Sequence, residues 1–420
     1  MNPDGDRPQR SQSAAADLTG HAAEWLLEPI GFDRFVAEFW DQVPLHIAGR
    51  RPDFYADLYS LSDFDAALNE SGIRSPFLRL VRDGREIPLE SLSGDGYGRA
   101  QILEDVFAHH RDGASIVLQF LHEQDRRLKH LSRDLAVALS SAVQVNAYLT
   151  PVGEHALGTH YDTHDVFVMQ IYGHKYWTLY DRPDLVPFKN ERRRPAFDDA
   201  KPSQVLTLSP GDCLYVPRGW IHAAESREAA SLHLTVGVHP IRWGQVVQGV
   251  ITEVLRRNPR FRHALPPGFA THDRPRQRAR DTFDELWSVV KGSIDAGDLL
   301  DEAVSAARLS VPPRLDGHLL DLGKLDHIDQ HTRLKTRDVA GVSIDEDDSA
   351  VRITYYGKVI ECPAALSASV RFLMARDAFA VSELPDMLTP QDKLLLARRL
   401  VKEGLLTFAD RQELATRIRA

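Results

Sequence analysis

The chain has 420 residues, 43% of them hydrophobic and 26% charged, with a formal net charge of −9. These values exclude a fibrous or low-complexity chain and predict two or three globular domains. The acidic balance argues against a protein whose main work is gripping nucleic acid, and no apolar run reaches the ~20 residues of a membrane span.

Residues 1–17, MNPDGDRPQRSQSAAAD, are polar, lack an apolar signal-peptide centre and read as a disordered tail. From Leu18 to about Leu68 aromatic and aliphatic residues such as Phe32, Phe35, Val36, Phe39 and Trp40 recur at three- and four-residue steps, which predicts helix. Residues 73–130 alternate short apolar runs with charged turns, and a helix is expected around Leu131–Ser140.

Val143 to Val238 differs. Short β-rich runs ("VQVNAYLT", "DVFVMQIYG", "HKYWTLYD", "QVLTLSPGDCLYVP", "SLHLTVGVH") are punctuated by Gly, Pro and Asp with no helical pattern between them. That spacing predicts a sandwich or barrel.

After Arg242 the pattern is helical again. Trp243, Val246, Val247, Val250, Ile251, Val254 and Leu255 form one stripe, followed by a basic loop, "HDRPRQRAR", and helices over about Asp281–Ala307. Pro312–Pro313 marks a boundary. A strand pair around an acidic turn, two helices and "LLTFAD" complete a third unit in winged-helix-like order. Arg337–Ala420 carries 12 basic and 13 acidic residues, so the electrostatic footprint of a DNA reader is missing. The expected organisation is a tail over 1–17, a domain containing the β-rich region over 18–242, a helical region over 243–312 and a winged-helix-like domain over 313–420.

Candidate chemistry converges on the β-rich region. In His160-Tyr161-Asp162, alternation at a strand end points the imidazole and the carboxylate to one side. His222, after "PRGWI", completes a set of two histidines and one carboxylate if the strands are neighbours. Such a set leaves three octahedral positions open, whereas a closed four-ligand set is structural. HxD alone is a weak signal among 18 histidines, and His155, His164 and His174 read as bystanders. Cys213 and Cys362 have no metal-ligand spacing, so any metal is held by nitrogen and oxygen, and their scarcity suits a reducing cytoplasm. Lys175, just after the turn at Gly173, is a cation for a carboxylate or an exposed hairpin lysine.

The stretch "VNAYLTP…GTHYDTHDVFVMQIYGHKYWTLYD…LSPGDCLYVPRGWIHAAE…SLHLTVGV", with Pro44-Leu45-His46-Ile47 ahead of it, resembles the JmjC-type ribosomal oxygenases. The resemblance implies an α+β fold: a double-stranded β-helix (jelly-roll, cupin) core, a helical linker and a winged-helix-like end. It implies Fe(II) on His160, Asp162 and His222, and 2-oxoglutarate and O2 as cosubstrates. Lys175 would hold the distal carboxylate, Asn146 would support the same cosubstrate, and His233 would line the pocket. Gly237 departs from the family, which often has serine there. The implied reaction is hydroxylation of an arginine or histidine side chain in a ribosomal protein by a homodimer paired through the helical linker; composition and charge add a cytoplasmic chain with no membrane and no sequence-specific DNA binding. The run Arg192–Arg194 reads as a solvated loop or a contact for ribosomal RNA or an acidic peptide. Other readings are a hydroxylase of another peptide or of a tRNA base, a cupin-like binding module without turnover, and a transcriptional regulator.

Overall fold

The computed structural model describes residues 21–70, 77–88, 99–153, 157–180, 201–294, 296–337, 342–355, 358–385 and 387–409. The tail over 1–17, His155 and Arg192–Arg194 lie outside them. The chain divides between Pro240 and Ile241 into two compact units.

In the first unit helices α1 (Ala22–Leu27), α2 (Phe32–Glu38), α3 (Leu61–Glu70), α4 (Arg99–Arg111) and α5 (Arg126–Ala138) accompany strands β1 (Leu45–Ile47), β2 (Leu78–Arg82), β3 (Arg85–Ile87), β4 (Ser115–Leu118), β5 (Ala142–Thr150), β6 (Asp165–Tyr172), β7 (Lys175–Tyr180), β8 (Pro202–Leu208), β9 (Cys213–Val216), β10 (His222–Glu225) and β11 (Ser231–His239). The helix expected at 131–140 starts earlier, because the Asp125 carboxylate caps the backbone N–H groups of Arg127 and Leu128. Leu128, Leu131, Leu135 and Ala136 then fall on one buried face.

An eight-stranded sheet in the order β1-β9-β6-β11-β5-β4-β2-β3 faces a three-stranded sheet, β10-β7-β8. Val166, Val168, Leu214 and Val216 of the large sheet pack on Trp177, Leu179, Leu206 and Leu208 of the small one. This is the sandwich expected from the β-rich runs, in the double-stranded β-helix form that the family resemblance implies. Helical periodicity over 18–68 misses β1, where Leu45 pairs with Tyr215 and Ile47 with Cys213. A three-residue strand is too short to impose a period of its own.

The second unit contains α6 (Trp243–Arg257), α7 (Asp273–Ser293), α8 (Ala296–Ser310), α9 (His318–Leu322), α10 (Ser367–Met374) and α11 (Pro390–Glu403), with β12 (Arg333–Thr336), β13 (Val342–Glu346), β14 (Ala350–Tyr355), β15 (Lys358–Pro363), β16 (Phe379–Ala380) and β17 (Leu406–Phe408). The expected basic loop is the start of α7, because Pro275 lies in the first turn, where its missing N–H has no intrahelical acceptor to lose. In α6 the predicted stripe is divided. Val246 and Val250 are buried, while Trp243 is 81% and Val247 42% exposed.

The expected strand pair is a three-stranded sheet, β13-β14-β15. Asp347 shapes its first turn by accepting hydrogen bonds from the Ser349 and Ala350 N–H groups. The "LLTFAD" segment supplies β17, which pairs with β12 beside β16. Leu334, Ile353, Val370, Phe379, Leu400 and Phe408 belong to one core. Among the described residues no helix is long and apolar enough to cross a membrane.

Candidate metal centre and cosubstrate pocket

His160 and His222 form an isolated antiparallel bridge. The His160 N–H donates to the His222 carbonyl at 3.0 Å, and the His222 N–H returns the bond at 2.8 Å. Asp162 lies in an irregular segment and not on the strand that alternation suggests. Its carbonyl is fixed by the Gly219 N–H at 2.8 Å, inside the "PRGW" turn. That turn is held from below: the buried Asp165 carboxylate accepts from the Arg218 N–H (3.1 Å) and the Tyr215 hydroxyl (3.0 Å). Burial nevertheless pushes the Asp165 pKa up to about 6.

The ligand atoms of His160, Asp162 and His222 all lie within 4.8 Å of one another. Each imidazole Nδ1 faces a carbonyl, His160 that of Gly158 (2.8 Å) and His222 that of Trp220 (2.9 Å). A carbonyl only accepts, so each Nδ1 carries the proton and each Nε2 presents its lone pair to the cluster. His222 is pushed down to about 4, by burial first and then by His160. It is therefore neutral at physiological pH, the form that binds a metal. The donor set, tautomers and spacing fit a divalent cation with open positions.

The cluster opens into a cavity also lined by Tyr148, Lys175, Trp177, His233 and Thr235. Lys175 is 1% exposed and its ammonium donates to the Ser226 hydroxyl at 3.2 Å. Among the described residues it has no carboxylate within ion-pair distance, and burial lowers its pKa to about 7. The alternative of an exposed hairpin lysine is thereby removed. Gly173 makes the hairpin possible. Its φ is +64°, and a Cβ there would stand 2.0 Å from the Ala230 carbonyl oxygen.

His233 stacks on Tyr148 (centroids 5.1 Å apart, planes 2° apart) and meets the edge of Trp177. Burial and the Lys175 charge hold it well below the usual histidine range. His233 Nδ1 and Trp177 Nε1 are buried without a hydrogen-bond partner among the described residues. Asn146 is buried opposite Thr235. It is not one of the residues lining the cavity, and its Oδ1 accepts the Phe120 N–H at 3.0 Å.

His164 stays outside the cluster and stacks on His239, with centroids 4.6 Å apart. Its ring explains the glycine at 237, where a Cβ would approach it to 2.9 Å. His174 is hydrogen-bonded to Ser209 away from the cavity. The sequence reading missed the Asp165 clamp and the Tyr148–Trp177 wall. The "HxDxxD" spacing was the available signal for the former, and strand alternation from Lys175 to Trp177 for the latter.

Fold and cluster together define a JmjC-type double-stranded β-helix with a two-histidine, one-carboxylate centre. A family model described as "JmjC domain" matches residues 119–246. The chain is 29% identical over 354 residues to ribosomal oxygenase 2 of Mus musculus, covering 77% of this chain and 72% of that protein. Against ribosomal oxygenase 1 of Gallus gallus it is 27% identical, covering 69% and 49%. Against the bifunctional lysine-specific demethylase and histidyl-hydroxylase NO66 of Dictyostelium discoideum it is 26% identical, covering 69% and 59%. The chain thus spans between about half and three quarters of the length of these relatives. An X-ray structure of ycfD from E. coli superposes with a TM-score of 0.50 at 18% identity, covering 90% of this chain and 97% of the other, a likeness of fold. The chain thus carries a JmjC domain over residues 119–246 and is similar over more than two thirds of its own length to proteins named ribosomal oxygenases.

Proposed function

We propose that this chain is an Fe(II)- and 2-oxoglutarate-dependent oxygenase that hydroxylates a C–H bond of an arginine or histidine side chain in a ribosomal protein. The observation that carries the reading is one cavity holding both the His160–Asp162–His222 donor set and a buried lysine that has no carboxylate within ion-pair distance among the described residues. Iron supplies the coupled chemistry in which 2-oxoglutarate and O2 become succinate and CO2 while one oxygen atom enters the substrate C–H bond.

The residues do the positioning. His160 and His222 offer Nε2 atoms whose orientation is fixed through Nδ1, and Asp162 supplies the anionic ligand. Lys175 holds the far carboxylate of 2-oxoglutarate, a charge-assisted bond strengthened by burial. His233, Tyr148 and Trp177 form a wall that excludes water. Asn146, on the same strand as Tyr148, is tied to the Phe120 N–H.

Succinate release from 2-oxoglutarate, wild type against His160→Ala, tests the chemistry. Absence of iron-dependent turnover even with ribosomal proteins present would leave the binding module. Comparing ribosomal-protein masses between parent and deletion strains tests the target. An unchanged set, with no protein lighter by one oxygen in the deletion, removes it and leaves another peptide or a tRNA base.

The finer assignments belong to the same proposal. The exposed part of the α6 stripe, Trp243 and Val247, suits a homodimer contact, which light scattering tests. The free cysteines Cys213 and Cys362 suit the cytoplasm, which fractionation tests. The winged-helix-like assignment of the C-terminal region, the domain limits and the lack of sequence-specific DNA binding rest on element order and the balanced charge of Arg337–Ala420.

A further inference from the structure

Charge is unevenly placed along this chain. Residues 256–280 hold eight arginines and one acidic residue, Asp273, in a chain whose net charge is −9. All eight arginines are exposed. Intramolecular pairing satisfies only some of them. Arg256 and Arg257 share Glu253 at 2.8 and 2.6 Å, and Arg260 reaches Glu285 at 2.6 Å. Arg276 donates to the carbonyls of Phe269 and Ala270 and lies 3.8 Å from Asp273. Among the described residues Arg274, Arg278 and Arg280 have no acidic partner.

The Arg260–Glu285 pair ties the short turn Pro259–Arg262 to α7. In the first two turns of α7 the half-buried residues are Pro275 and Ala279. At ~100° per residue they form one line, with Arg274 and Arg278 along one side and Arg276 and Arg280 along the other, each pair about 6 Å apart.

The first two turns expose no apolar side chain, and the exposed aromatic pair of α7, Phe283 and Trp287, lies further along the helix. The basic residues here are arginines without a single lysine, and the guanidinium fork matches phosphate oxygens bidentately. Four like charges also crowd the end of α7 where the helix dipole is positive, and Asp273 offsets only part of their repulsion, so a polyanion relieves the rest. The exposed Phe269 ring in the connecting loop offers a face for base stacking.

We propose that residues 256–280 bind the phosphate backbone of RNA. The choice of RNA over DNA rests on the ribosomal-protein reading above; the phosphate assignment rests on the arginines alone.

The test is fluorescence anisotropy of a labelled oligouridylate with the full chain across a salt series, which needs no iron, 2-oxoglutarate or turnover. A failed RNA site and a failed oxygenase reading are therefore separable. Replacing Arg274, Arg278 and Arg280 by Gln should weaken binding at low salt by about tenfold or more. It should also reduce the log–log salt slope by about 2, at roughly 0.7 per lost contact. The triple Lys variant should keep most of the slope, and Arg51→Gln should change nothing, with thermal melts confirming that each variant folds. Binding of the Gln variant at wild-type strength and slope overturns the proposal. So does binding of phosphatidylserine vesicles through these arginines in place of RNA, and equal affinity for duplex DNA overturns the choice of RNA.

Discussion

The β-helix core and the core of the C-terminal region bury different kinds of side chain. Between the two sheets of the first unit lie Lys175, His222 and His233, and Asn146 and Asp165 are buried on the same large sheet. Asp165 Oδ2 and His233 Nδ1 lack partners among the described residues. Around Leu334, Ile353, Leu400 and Phe408 the second core is almost wholly aliphatic and aromatic. Its buried polar groups are mostly satisfied: Lys393 donates to the Ser382 carbonyl, and Thr407 to Asp321. A polar group buried without a partner lowers stability unless a ligand supplies one. The first core is therefore built around something it binds, and the second around itself.

The sharpest way to break that contrast is to remove a ligand. His222→Ala should abolish metal binding and turnover while the C-terminal core melts as before; retained iron by metal analysis would sink the triad. Next comes Lys175→Met. It should weaken 2-oxoglutarate binding by about 2–5 kcal/mol in calorimetry. The same change should raise the melting temperature of the ligand-free chain, because a buried unpaired charge is removed. A fall in melting temperature would mean that Lys175 is structural.

Leu400→Ala, in the second core, should do the reverse. It should cost about 2–5 kcal/mol of stability in chemical denaturation and leave 2-oxoglutarate affinity unchanged. The pH dependence is gentler. Lys175 has a folded pKa lowered from 10.5 to about 7, so its neutral form is favoured in the fold. Stability is fully present above about pH 10.5, declines as pH falls toward 7 and is level below that. Affinity for 2-oxoglutarate has the opposite sense and should weaken as pH rises through 7; a flat profile from 6 to 9 would contradict the lysine–carboxylate pair. The smallest effect is expected from Gly237→Ser, which has to displace the half-buried His164 ring. Adding His164→Ala should recover whatever activity it loses.

Legibility in the sequence follows the range of each interaction. Strand alternation in "HKYWTLY" suffices to put Lys175, Trp177 and Leu179 on one face, as the structure has them, although Lys175 alone was singled out. The ligands were readable only as types. HxD carries little information without the His160–His222 bridge, and that contact joins segments distant in sequence. Alternation gave the wrong reason for Asp162, which is oriented by a turn carbonyl and not by a strand. β1 was invisible because its order comes from Tyr215 and Cys213. The start of α7 was misread because a proline in a first helical turn looks like a loop signal. Gly237 was noticed as a departure, but its cause, the neighbouring His164 ring, is a tertiary fact.

The backbone bridge between His160 and His222 makes a seam. On one side of it the chain supplies His160 and Asp162, on the other His222 alone. An ion bound to all three acts as a rivet, and leaving requires the seam to part and not merely one ligand to swing away. Amide hydrogen exchange at His160 and His222 should accordingly slow together on loading. The off-rate of the ion should follow their exchange rate across conditions. Protease cuts between residues 157 and 164 should likewise be suppressed by metal before any cosubstrate is added.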